Sequence, residues 1–153
     1  MWQRIQTVFL VVAVLSLVAS IFVPIWVFEE DAKRQVLYAL HYSVKENDVL
    51  TPTYFPYSLT AILLVAAATV AVISIRKYKD RMAQMKLGAL NSLFIAASIG
   101  SAVYFASTLV KLYPAGEYGP GLWLPGVAVV CNLLANRFIR RDEKIVRDSE
   151  RLR

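Results

Sequence analysis

The residues able to do chemistry are few and far apart. His41 is the single histidine and Cys131 the single cysteine. One of each, remote in the chain, does not make up the roughly four ligands of a transition-metal site. A haem held between helices needs axial ligands inside the apolar runs, and His41 lies in a hydrophilic connection instead. A serine or cysteine nucleophile needs a base within hydrogen-bond reach, and none of the long apolar runs contains a His, Asp or Glu. The same absence argues against proton- or ion-coupled transport, which is marked by ionisable side chains within spans. What the runs do contain is Asn91, Ser98, Ser101, Thr108 and Asn132. Interhelical hydrogen bonding accounts for these, with Asn91 and Asn132 the pair placed to meet at one depth. The expectation is therefore no catalytic residue, no cofactor, no metal and no enzyme.

The elements that would position these side chains are four apolar spans in a single domain of residues 1–153. With 58% hydrophobic residues gathered in blocks, the chain is too apolar for a water-soluble globule. The spans fall at about residues 5–28, 53–75, 87–110 and 118–136. The first is uncharged throughout and would make ~36 Å of helix against a hydrocarbon core of ~30 Å. Its length, and the acidic residues after it, favour an uncleaved span. Ala19 and Ser20 leave signal-peptide cleavage as an alternative. The fold class expected is an all-α, four-helix transmembrane bundle.

Charge then orients it. Lys and Arg number one at the amino end, five in the basic hairpin 76–86 and seven in the tail 137–153, against three in the loop 29–52 and one at Lys111. Thirteen against four places the hairpin and both termini in the cytoplasm. The net charge of +6 is thus topological and implies no nucleic acid. The outer loop 29–52 alternates β-formers from Val36 to Val44, which fits a short strand or β-hairpin between spans 1 and 2. A surface helix would suit the same residues.

Two features point to partners. Gly88, Ser92, Ala96 and Gly100 recur every four residues and form a small-residue seam suited to close packing, within the chain or between two copies. In the tail, Phe138, Ile145 and Leu152 fall seven apart on a helix continuing from span 4, a narrow apolar stripe that calls for a cover.

The opening Met1-Trp2-Gln3-Arg4-Ile5-Gln6-Thr7 and the closing Leu134-Ala135-Asn136-Arg137 with Arg141-Asp142-Glu143-Lys144 resemble the two ends of a domain-of-unknown-function family of small four-span bacterial membrane proteins. The resemblance implies architecture and a bacterial inner-membrane location, and carries no activity. The function expected is a non-catalytic accessory, assembly or interaction subunit of a membrane complex, in contact with lipid and with other subunits or itself. The alternative is an oligomeric channel or carrier for a small molecule or lipid.

Overall fold

The computed structural model describes residues 2–30, 33–47, 49–78 and 80–151. Helix α1 (Trp2–Phe22) leads into strands β1 (Trp26–Glu30), β2 (Lys33–Leu37), β3 (Tyr42–Glu46) and β4 (Val49–Thr53). Helices α2 (Ser58–Arg76) and α3 (Arg81–Leu112) follow, then β5 (Glu117–Tyr118), a single 3-10 turn at Pro120–Leu122, and α4 (Leu124–Arg151). Each helix packs on its sequence neighbour and α4 closes the ring on α1. All four are long and apolar enough to cross a membrane.

The expectation of an all-α bundle with at most a hairpin is overturned. The five strands form one antiparallel sheet in the order β4-β3-β2-β1-β5. Four come from a continuous meander, and β5 reaches in from the α3–α4 connection to pair Tyr118 with Trp26. Lack of charge suggested that residues 26–28 continue the first helix, but Pro24 has no N–H to donate and α1 stops at Phe22. Residues 49–53, which lead towards the second span, pair instead with β3, turning through Asn47 in the left-handed region at φ 49°. The basic turn is also tighter than expected: α2 runs to Arg76 and α3 begins at Arg81.

The sheet is fastened to the bundle by backbone contacts at the α1–β1 break. Gly119 N donates to Ile25 O (2.8 Å), Gly121 N to Pro24 O (2.9 Å), and Ile25 N to Leu37 O (2.7 Å). Ser20 Oγ donates to Gly121 O (2.8 Å). Over this junction lies the fully buried Trp26, stacked on Phe28 with Tyr113 tilted against both. A second aromatic chain, Tyr42–Tyr57–Phe105, joins β3 to α2 and α3. The N-terminus of α2 has no side-chain cap. Backbone carbonyls take that role, including Ala39 O, which accepts from Ala61 N (3.0 Å). By contrast α3 is capped by Asp80, whose Oδ1 accepts from Ala83 N (2.9 Å).

Glycine is required where the connection crosses the break. A Cβ at Gly121 would fall on the carbonyls of Val23 and Pro24, and one at Gly116 on the Trp26 indole, whereas Gly126 has open space beside it. Gly121→Ala should therefore lower stability by roughly 1–3 kcal/mol through forced displacement of backbone. Gly126→Ala, inside a helix, should be neutral or slightly stabilising. Thermal melts in detergent check this, and equal midpoints for the two variants would refute the close crossing.

Candidate functional site

The buried face of every helix repeats at heptad spacing. On α3 it comprises Gln84, Gly88, Asn91, Ile95, Ser98, Ala102, Ala106 and Leu109. On α1 it includes Gln6, Leu10, Ala13, Leu17 and Ser20, and on α2 Thr60, Ala67 and Ser74. A seven-residue repeat drifts only ~20° per heptad and so keeps facing a neighbouring helix. Steps of four instead advance ~40° each at 3.6 residues per turn. The four small residues singled out on α3 therefore diverge: Gly88 is buried and Ser92 half-buried, while Ala96 and Gly100 face outwards. A Cβ at Gly88 would collide with the Asn136 amide, and one at Gly100 would meet nothing.

Around Gly88 the structure assembles a polar seam between α3 and α4. Asn91 Nδ2 donates to Asn132 Oδ1 (3.0 Å), and Asn132 Nδ2 donates to Gly88 O (3.0 Å) and Ser92 Oγ (2.8 Å). Ser92 Oγ in turn donates to Gly88 O (3.0 Å). Asn91 and Asn132 are almost wholly enclosed. This is the amide pair singled out from the sequence, with Ser92 and Gly88 added to it. Elsewhere the buried polar groups bridge neighbouring helices: Thr60 with Ser101 (2.8 Å), and Gln84 Nε2 with Ser74 O (2.9 Å) at the C-terminus of α2. Sequence reasoning took Asn91 and Asn132 but missed Gln84. The signal was available in the recurrence of Gln84, Asn91 and Ser98 seven apart.

The tail stripe divides. Phe138 stacks on Phe9 of α1 with ring centres 5.7 Å apart, and Ile139 beside it is buried. Asp142 then ties α4 to both neighbours, accepting from Gln6 Nε2 (2.9 Å) through its carboxylate and from Arg81 Nη1 (3.3 Å) through its backbone carbonyl. One turn further, Ile145 is 54% exposed. Leu152 lies outside the described residues.

His41 sits in the β2–β3 turn, stacked on Tyr38 and tilted against Tyr54. Its Nδ1 is buried without a partner. The cleft there, about 340 Å³, is lined by Arg34, Tyr38, Ser43 and Lys45 among others. Nearby, the Tyr42 phenol donates to Gln35 Oε1 (2.6 Å). Burial, reinforced by the Tyr113 and Tyr57 phenols, pushes its pKa up to about 12, so it remains a neutral donor. Among the described residues no three His, Cys, Asp or Glu side chains lie close enough together to hold a metal ion. What the enclosed polar groups do is fix helix register.

Asn132→Ala removes the hub of the seam, and hydrogen bonds between membrane helices are worth about 0.6 and at most ~1.7 kcal/mol each. A loss of roughly 1–3 kcal/mol is expected, larger than that of Asn91→Ala. The double variant should lose less than the sum, because the two share a bond. In the same melts Gly88→Leu should be severe and Gly100→Leu mild. Additive losses, or equal effects of the two leucines, would contradict the seam.

No curated protein matches this sequence. A family model described as a domain of unknown function, DUF4293, matches residues 2–152. The match runs from the first turn of α1 to beyond the last described residue of α4, taking in all four helices and the sheet, and the chain accordingly belongs to the DUF4293 family.

Proposed function

We propose that the protein is a non-catalytic integral membrane protein of the bacterial inner membrane, with both termini cytoplasmic, acting as an accessory, assembly or interaction subunit of a larger complex. The observation that carries the reading is a strongly apolar lateral surface around a core that also encloses polar side chains. Leu15, Ile62 and Leu93 are each more than 60% exposed, while Ser20, Asn91, Ser98 and Asn132 are at most 1% exposed. Such a lateral surface would aggregate in water and is satisfied by hydrocarbon. The thirteen-to-four charge bias supports the orientation.

The interior polar groups bond to backbone carbonyls and to each other within the chain, and the reading therefore looks to the surface for partners. Ile145 stands beyond the tie at Asp142 on a helix that continues to Arg151. At ~1.5 Å per residue it lies ~10 Å past Phe138, away from the bundle on a steeply leaving helix. Ala96 and Gly100 on the outer face of α3 favour the second reading, close approach of a second copy around a shared pathway.

Two measurements test this. With Cys131 replaced by Ser, a cysteine introduced at His41 should react with a membrane-impermeant thiol reagent in intact cells, and one at Arg81 only after lysis. The opposite pattern would overturn the orientation. Native extraction and mass spectrometry should then find stoichiometric foreign subunits, released by Ile145→Asp without loss of insertion. A homo-oligomer of unchanged mass in that variant would reject the subunit reading in favour of the oligomeric channel or carrier.

A further inference from the structure

We propose that the cytoplasmic end of the α3–α4 interface is a binding site for one anionic phospholipid. A groove of about 540 Å³ opens there, lined by Ala89 and Ser92 on α3 and by Leu133, Asn136, Arg137 and Arg140 on α4. Its chemistry changes along its length. Leu133 supplies the apolar end, beside Ser92 whose hydroxyl is bonded within the α3–α4 seam, and Ala89 adds an apolar surface nearer Asn136. Two exposed guanidinium groups, three residues apart on one helix, stand at the other. From Leu133 to Arg140 is ~10 Å at ~1.5 Å rise per residue, which suits the passage from acyl chain to phosphate.

The polar groups between these ends offer donors. The Asn136 amide, which can donate through its Nδ2, lines the groove and lies over Gly88 with its Oδ1 buried and unpartnered. Arg137 and Arg140 present forked donors matched to a phosphate. Among the described residues no carboxylate lines this groove. The acids Glu143 and Asp148 begin with the next hollow, where Met85, Lys144 and Arg147 join Arg140, so the anion-accepting stretch ends at Arg140. Basic residues near the end of a span are expected from topology alone. Their convergence on a cleft that crosses from apolar to cationic is the additional feature, and it is the geometry by which basic pockets between transmembrane helices hold lipid headgroups. The proposal needs the helices to lie in a bilayer with this end cytoplasmic. It does not depend on the accessory-subunit reading.

The test uses the full chain, purified in neutral detergent and titrated with phosphatidylglycerol, phosphatidylcholine or inorganic phosphate. Native mass spectrometry counts bound lipid and thermal melts follow stabilisation. One phosphatidylglycerol should be retained and should raise the melting midpoint, with neither phosphatidylcholine nor inorganic phosphate doing so. Arg137→Gln with Arg140→Gln should leave the lipid-free midpoint unchanged and weaken binding by roughly twenty- to thirtyfold, at about fivefold per arginine. Arg76→Gln with Lys77→Gln removes the same charge from the opposite hairpin and should keep binding within about twofold. Equal weakening in the two double variants would mean diffuse attraction to a basic surface and overturn the site. Equal stabilisation by inorganic phosphate would overturn the lipid as its occupant. Phosphatidylcholine bound as tightly as phosphatidylglycerol would overturn the role given to the arginines.

Discussion

The structure depends on how the chain pairs its backbone where α1 stops. A helix end and the break after it leave backbone groups that must find partners, and where they are enclosed water does not supply them. Here the carbonyls of Pro24 and Ile25 accept from Gly121 and Gly119, and the Ile25 N–H goes to Leu37 O. Three distant segments are thereby fixed at once. β1 is aligned on β2, β5 is carried onto the free edge of β1, and α4 begins beside α1. The two glycines allow it because a side chain at Gly119 would strike the Pro24 carbonyl and one at Gly121 the carbonyls of Val23 and Pro24. The sheet is therefore part of how the bundle closes rather than an ornament on a loop.

Within the bundle, polar and small groups set helix contacts alongside the buried apolar core of Leu17, Leu64 and Ile95. For helices that cross a bilayer, leucine gains little by leaving lipid for protein, and contacts then come from close packing and from hydrogen bonds. Asn132 is the clearest instance, donating twice and accepting once within the space of one turn of α3. The absence of a Cβ at Gly88 makes room for Asn136 opposite it. The heptad register follows, because only a near-3.5 repeat holds such contacts along the full length of a pair.

This explains what the sequence could and could not disclose. Uncharged length revealed four helices, and amide placement revealed the Asn91–Asn132 contact. Alternation in residues 36–44 suited a strand as well as a surface helix, and the chain forms β2 and β3 there, with Gln35, Val36 and Leu37 buried in succession and Ser43 buried in β3. The first strand was hidden because Trp26, Val27 and Phe28 are as apolar as the helix before them, and only Pro24 marks the change. A two-residue strand such as β5 has no periodicity to detect, and its existence depends on a partner ninety positions away. The spacing of Gly88, Ser92, Ala96 and Gly100 misled for a related reason. With apolar residues on both faces, hydrophobicity carries no phase, so small residues every four positions resemble a seam although they wind away from it. The polar residues carried the phase instead.

The two ends of the molecule are consequently built on different terms. At the sheet end, aromatic rings and backbone bonds fill the space between elements, with Trp26, Phe28 and Tyr113 in mutual contact. At the other end the ties are single side chains: Gln84 on Ser74 O, Gln6 on the Asp142 carboxylate, and Arg81 on the Asp142 carbonyl. Two of these converge on Asp142, which serves α1 and the start of α3 but not the stretch of α3 facing Arg137 and Arg140. The amide seam ends one heptad earlier, since Asn136 meets only the bare Cα of Gly88 and α4 turns charged at the next residue. The side chains at that level, small Ala89 and Ser92 on α3 and exposed Arg137 and Arg140 on α4, line the angle between the two helices as the walls of a groove.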